Sequence, residues 1–353
     1  MSSPTLTKSP APDTATLMFA EASEGGAAVR RFLNHNRPAI QRLAARLKAR
    51  PPRLVTTCAR GSSDHAATFG KYLFETLLGV PTSSVAMSVS SIYAAPVTAA
   101  DSLCIAISQS GRSPDLLTAV EAHRRAGAHI VALVNDEDSP LAALADVVLA
   151  LKAGPETSVA ATKSYIASLA GLAAIAAAWA GDDALSDDLS ELPDKLNLAF
   201  ALDWSAALPA LVDARNLFVI ARGYGLGIAQ EAALKLKETC ALHAEAFSSA
   251  EVRHGPMAIV NDGFPVLGFA TSDGAGDGVR EVAVEFAARG AHVLLAGVTP
   301  VAATVHLPAL RTHPALEPIL MIQSFYRLAN SLSLARGLDP DSPPHLNKVT
   351  KTV

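Results

Sequence analysis

The 353-residue chain repeats itself once, and this repeat limits its fold more than any other feature. The stretch RLVTTCARGSSDHAA from Arg53 resembles NLFVIARGYGLGIAQEAA from Asn216. The shared Ala-Arg-Gly begins at Ala59 and again at Ala221, 162 positions later. Gly127-AHIVALV and Gly290-AHVLLAG then match at an offset of 163. Two matches in nearly one register identify a tandem duplication of one domain. Within the first copy, short apolar runs at 53–60, 102–108, 128–134 and 147–151 alternate with helix-length segments. That alternation predicts an α/β fold: two tandem, doubly wound parallel sheets, each with helices on both faces in three α/β/α layers. The expected division is a disordered start (1–15), a first domain (16–190), a second (195–338) and a polar tail (339–353). The polar stretch 182–194, with Pro193, reads as the linker.

Local patterns add detail. Apolar spacing predicts two helices over 16–49, then helices over 66–78, 158–180 and 314–337, and a strand over 85–88. The segment from Arg222 to Met257 reads as a loop, a helix and a second loop. The uncharged run 164–181 falls short of membrane length and is mostly Ala, so a buried helix is expected rather than a membrane span. Residues 1–14 lack the apolar centre of a secretion signal. A net charge of −4 gives no basic face for nucleic acid. Cys58, Cys104 and Cys240 show neither zinc spacing nor a disulfide frame, which points to a reducing, cytoplasmic compartment.

Chemistry concentrates in a few polar stretches. In the Ala- and Leu-rich segment after Arg222, Glu231, Lys235 and Glu238 follow at spacings of four and three, which puts them on one helix face. Such spacing also suits a solvated ion pair, but charges on a mostly apolar helix need partners or a task. Glu251, Arg253 and His254 follow in the next loop. After the strand at 102–108 comes Ser108-Gln-Ser-Gly-Arg-Ser113, which offers hydroxyls, an amide, a glycine and a helix N-terminus. That set suits a phosphate, with charge from Arg112, or an ordinary turn with Ser113 as its cap. The second copy carries Thr-Ser-Asp-Gly there, with an acid that repels phosphate. Ser62 and Ser63 follow the first strand and can meet the same ligand, whereas Asp64 and His65 suit a helix cap equally well. Pro155–Lys163 either closes over a substrate or caps a helix. A Walker lysine and a dinucleotide glycine loop are both missing, so no nucleotide is indicated.

Three stretches carry a resemblance: SQSG-x-S at Ser108–Ser113, ETSVAATK at Glu156–Lys163, and ALKLKE…HAEAF…E-x-x-HGP between Ala233 and Pro256. With the tail DPDSPPHLNK, they are similar to the sugar isomerase (SIS) domains, above all to the isomerase half of glucosamine-6-phosphate synthase. The likeness runs from about Leu54 to the C-terminus. It implies that Ser108, Gln109, Ser110 and Ser113 bind a sugar phosphate. Ser62 and Ser63 would line the sugar pocket, and Val159 would touch the substrate through its backbone. It further implies that Glu238 moves a proton between C1 and C2 with Lys235 assisting. His254 would open the ring from the neighbouring subunit of a homodimer, and Lys348 would form a Schiff base with a ketose phosphate. No metal or cofactor is implied.

Departures from the family pattern bear on the reaction and on the substrate's detail. The chain has no cysteine in residues 1–15 to begin a glutaminase domain, and it carries Arg112, Arg60 and Ala161 where Glu, Cys and Ser are usual. The expected activity is therefore that of a glucosamine-6-phosphate deaminase of the SIS type, yielding fructose 6-phosphate and ammonia. A fructosamine-6-phosphate deglycase and a non-catalytic sugar-phosphate sensor are the alternatives.

Overall fold

Short strands rich in Val, Ile and Leu form the frame that the repeat requires. The computed structural model describes residues 16–346 and Lys348; the expected disordered start, 1–15, and the rest of the tail lie outside them. Helices α1 (Leu17–Ser23) and α2 (Gly25–Ala49) precede β1 (Leu54–Cys58), α3 (Ser62–Leu78), β2 (Thr82–Ser84) and the single turn α4 (Ser88–Ser91). Then come β3 (Ser102–Ser108), α5 (Pro114–Arg125), β4 (His129–Val134), the short α6 (Pro140–Leu144) and β5 (Val147–Ala150). Helices α7 (Lys163–Ala180), α8 (Asp183–Ala201) and α9 (Leu208–Leu211) lead to β6 (Asn216–Ala221), α10 (Leu226–Cys240) and β7 (His243–Ser248). The described chain continues through β8 (Pro265–Ala270), α11 (Gly274–Ala287), β9 (His292–Gly297), β10 (Val305–Pro308) and α12 (Glu317–Ala335).

The strands form two five-stranded sheets, ordered β2-β1-β3-β4-β5 and β10-β9-β8-β6-β7. Read from the other edge, the second order is the first one repeated. Every pairing is parallel. Parallel sheets need both faces covered, and the central strands β3 and β8 are buried at every residue. One apolar cluster joins the inner faces of the two copies through α2, α3, α7, α10 and α12. Two smaller clusters sit on the outer faces, one beneath α5 and one beneath α11. Helix α7 is long and apolar enough to cross a membrane, but 89% of it is buried within the fold, as the sequence led us to expect. A side chain at Gly227 would place Cβ 2.5 Å from the His65 carbonyl oxygen, so glycine lets α10 lie close against α3. This contact brings the second copy's polar helix up to the first copy's loops.

Several local expectations fail. The stretch 182–194, read as a linker, is helical and forms most of α8, with Pro193 inside it. The strand expected at 85–88 lies at β2 instead, where Thr82 to Ser84 pair with Val55 to Thr57. Val85 donates the last bond of that edge, to the Thr57 carbonyl, and the chain then turns into α4. The loop expected after α10 contains β7, an edge strand carrying Glu245 whose half-exposed face hides its periodicity. Helix α3 begins at Ser62 rather than Ala66, and α7 at Lys163 rather than 158. Two helices do fill 16–49, with the break at Glu24 and Pro38 inside α2.

Candidate active site

In a parallel sheet the strands' carboxyl ends face one edge, and the loops leaving β1 and β3 meet there. They border a cavity of about 400 Å³. Ser62, Ser63, Ser108, Gln109, Ser110, Ser113, Val159, Glu238 and Lys348 all line it. Of the eleven residues singled out from sequence, only Lys235 and His254 stand outside the lining.

The β3–α5 turn has the geometry of an anion seat. Ser108 Oγ accepts from the Gly111 backbone N–H at 2.9 Å, which folds the turn back on itself. Gly111 has φ +64°, the left-handed region that favours glycine. Ser113 stands at the N-cap of α5 but makes no side-chain cap bond, and Pro114 follows as the first helical residue. The Ser113 hydroxyl therefore remains available, against the reading of this turn as an ordinary capped one. Because α3 starts at Ser62, two helix N-termini, of α3 and α5, flank the same cavity.

The cation expected in this turn points elsewhere. Arg112 is exposed and donates to Asp136 Oδ2 from Nη2 at 2.7 Å and from Nε at 3.2 Å. That bond holds the Asp136 carboxyl below the usual carboxylate range. Arg112 is not among the cavity's lining residues, but Arg60 is. Its Nε and Nη2 bond the buried Asp115 Oδ2 at 3.0 and 2.7 Å, which fixes the guanidinium plane against the first turn of α5. Sequence reasoning treated Arg60 only as a departure from a family pattern. Its place directly before Gly61-Ser62-Ser63, at the end of a parallel strand, was the available signal.

On the far wall stands α10. Lys235 Nζ lies 2.5 Å from Glu238 Oε2, 3.3 Å from Glu231 Oε1 and 3.1 Å from Ser62 Oγ. Burial opposes the Lys235 charge, but the two carboxylates outweigh it and hold the ammonium above its ordinary pKa. Burial likewise opposes the Glu231 charge, and Lys235 together with the His65 hydrogen bond still brings it below the usual value. His65 Nδ1 sits 3.1 Å from Glu231 Oε2, and the Tyr326 hydroxyl donates to Oε1 at 3.2 Å. Burial and the Glu231 charge push the Tyr326 phenol well above its ordinary value, so it acts as a donor. Glu231 is thus closed off, while Glu238, 21% exposed, faces the cavity.

The third wall is a loop held from three sides. The Glu156 carboxylate is fully buried. It accepts from the Thr162 and Ser164 backbone N–H groups at 2.9 and 3.2 Å, and so caps α7. The Glu21 carboxylate of α1 accepts from the N–H groups of Thr157 and Ser158. The N–H groups of Leu17 and Met18, at the start of α1, donate to Asp341 of the tail, each at 2.7 Å. This linkage carries the tail to the cavity, where Lys348 Nζ donates to the Ser158 carbonyl at 2.7 Å and lies 3.6 Å from Glu156 Oε2.

His254 does not join this set. It is exposed in a single turn, Glu251–His254, while the neighbouring Arg253 pairs with Glu285. Chemically, the cavity joins an anion seat, one accessible carboxylate held by a buried lysine, and an amine on the tail.

A family model described as the SIS domain matches residues 51–178 and 210–302. Glutamine–fructose-6-phosphate aminotransferase (isomerizing) of Aeropyrum pernix is 37% identical over 330 residues, covering 88% of this chain and 53% of that protein. The chain spans about half the length of the curated relatives it matches. A crystal structure of a "putative phosphosugar isomerase" from Silicibacter pomeroyi DSS-3 superposes with a TM-score of 0.88 at 44% identity, covering 92% of this chain and 100% of that one. The C-terminal domain of glucosamine-fructose-6-phosphate aminotransferase from Francisella tularensis gives 0.83 at 25% identity, covering 93% and 98%.

Proposed function

Because the chain belongs to the SIS domain family, we propose that it converts glucosamine 6-phosphate to fructose 6-phosphate and ammonia. The observation that carries this reading is Glu238, an accessible carboxylate fixed by Lys235 opposite an anion seat in a cavity of about 400 Å³. The phosphate sits against the hydroxyls of Ser108, Ser110 and Ser113, the Gln109 amide and the N-terminus of α5, with Arg60 as its counter-charge. Ser62 and Ser63 face the sugar hydroxyls, and the Val159 backbone closes the opposite side.

The chemistry then follows from one carboxylate able to reach two adjacent carbons. In the open-chain aldehyde, Glu238 takes the C2 proton, and the electron pair moves through C1 to the carbonyl oxygen, which takes a proton from water, giving an enolamine. Lys235, held as an ammonium, keeps the carboxylate in place and offsets the charge that develops beside it. Returning the proton to C1 leaves an imine at C2, and water releases ammonia and the ketose. Lys348, the one tail amine at the cavity among the described residues, stands where a ketose carbonyl forms a Schiff base in the reverse sense. Ring opening needs a group that titrates near neutrality, and His254 lies outside its own chain's cavity. We assign it to the cavity of a second copy, so the working unit is a homodimer.

The test is release of ammonia and fructose 6-phosphate from glucosamine 6-phosphate with no glutamine present. Equal amounts of the two products at about one turnover per second or more support the reading. Absence of turnover, with release of the free amino acid from a fructosamine 6-phosphate, assigns the chain to deglycation instead. Sugar-phosphate binding without any turnover makes it a sensor.

A further inference from the structure

A second cavity, of about 540 Å³, opens at the opposite edge of the first sheet, where β1, β3 and β4 begin. Three arginines line it: Arg46, Arg50 and Arg53. Arg46 lies in the last turn of α2 and Arg50 is the C-cap that follows it, and both line the cavity. Leu47 between them is buried, which points the two arginines away from the core. Pro51 and Pro52 then turn the chain sharply into β1, and the Arg53 N–H is tied to the Asp101 carbonyl at 2.9 Å. The backbone therefore gathers three cations around one concavity.

What sets these arginines apart is that three unpartnered guanidinium groups line one cavity together. Among the described residues, none of the three guanidinium groups forms an ion pair or a side-chain hydrogen bond. Arg60 and Arg112, by contrast, are each held by an aspartate. The chain carries a net −4, so an unpaired cluster of positive charge runs against its overall sign. His129 lies in the same wall with Nδ1 3.1 Å from Asp146 Oδ2. Its Nε2 is buried without a hydrogen-bond partner. Burial and then the charge of Arg46 lower its pKa. Asp146 is already engaged by the Ile130 N–H at 2.8 Å. Asp101 is the one carboxylate in the lining, so a surplus of cation remains.

We propose that this cavity binds a phosphate-bearing ligand. Arginine's planar fork matches phosphate oxygens two at a time, so several such forks around one concavity suit a phosphate group. The strands β1 and β3 run from this cavity directly to the loops of the catalytic pocket, a span of about 20 Å at the rise of a parallel strand. The site is independent of the reaction proposed above.

The probe is inorganic pyrophosphate, titrated calorimetrically into the full chain. Saturable binding is expected. Arg46→Ala/Arg53→Ala should weaken it at least about 10-fold, the loss of one charge-assisted hydrogen bond or more. Ser110→Ala/Ser113→Ala, which alters the serine turn of the other cavity, should leave the arginine-dependent binding unchanged. Arg50→Gln provides a second, single-charge variant and should weaken binding in the same direction. No binding to the unmodified chain overturns the proposal. So does binding that survives all the arginine variants and disappears with the serine pair.

Discussion

Removing the Lys235 ammonium probes the buried charge cluster most directly. Its side chain is 1% exposed and that of Glu231 0%. In Lys235→Met a side chain of similar length fills the space, but Glu231 keeps a buried carboxylate whose remaining partners are His65 and the Tyr326 hydroxyl. Stranding one member of a buried ion pair costs about 3–5 kcal/mol, and these two partners put the expected loss near about 3 kcal/mol at neutral pH. The pH dependence identifies the cause. In the unaltered chain the Glu231 carboxyl is held below its usual value, so it contributes stability above the unfolded pKa of about 4.3 and loses it as pH falls through the folded value. Without Lys235, burial governs and the folded pKa rises above the unfolded one. Glu231 then favours folding only where it is protonated, and the penalty grows with rising pH. Urea unfolding at about pH 5 and about pH 8 should show a deficit that is small in acid and large in base. Glu231→Gln/Lys235→Met, which removes both charges, should recover most of it. A loss below about 1 kcal/mol, or a deficit equal at the two pH values, refutes the claim that Lys235 keeps Glu231 ionised.

Three further substitutions test the cavity. Glu238→Gln should lower kcat by about 100- to 10,000-fold while calorimetric binding of the sugar phosphate changes little; equal loss of both would remove Glu238 from the proton transfer. Arg60→Ala should raise KM by about 10- to 100-fold and weaken inhibition by inorganic phosphate to the same degree, the effect of losing a charge-assisted hydrogen bond; unchanged phosphate inhibition would show that Arg60 serves only Asp115. Gly111→Ala places a Cβ 2.7 Å from Ser139 Cβ, and nearer still to its Oγ, at φ +64°. It should cost about 1–3 kcal/mol in thermal unfolding and raise KM as well. A neutral result would mean that the turn has another low-energy shape.

The sequence makes the frame legible because a parallel strand buried on both faces, such as Ser102–Ser108, is a continuous apolar run with polar loops at its carboxyl end. Edge strands give no such run. Thr82–Ser84 is mostly exposed, and His243–Ser248 carries Glu245, so one was misplaced and the other read as loop. The polar loops were identified correctly as stretches, but the direction of a long side chain depends on distant residues. Arg112 points away because Asp136, beyond the next strand, captures it. Arg60 faces the cavity because Asp115 sits beneath it. The acid-rich face of α10 was visible in its spacing. Its partners His65 and Tyr326 lie 166 and 95 positions away in sequence, and no local pattern points to them.

The two copies share a topology and diverge at one turn, which leaves the helix cap open in the first copy and fills it in the second. In the second copy Asp273 takes the N-cap of α11, accepting from the Gly276 N–H at 3.1 Å and from the Thr271 hydroxyl at 2.6 Å. The Ser272 N–H is occupied as well, by Glu317 Oε2 at 2.6 Å. The chain's own carboxylates thus fill the place an external anion would take. In the first copy the corresponding cap is Ser113, with no cap bond of its own, and Arg60 is fixed by Asp115 at the cavity. A helix N-terminus holds one anion well, so supplying it internally removes a ligand site and leaving it open keeps one. The second copy reaches the first copy's cavity through α10, where Gly227 permits close contact with α3. The serine-rich turn therefore belongs to one repeat and the Lys235–Glu238 pair to the other. A single copy of the fold, with either element alone, lacks half of the proposed chemistry.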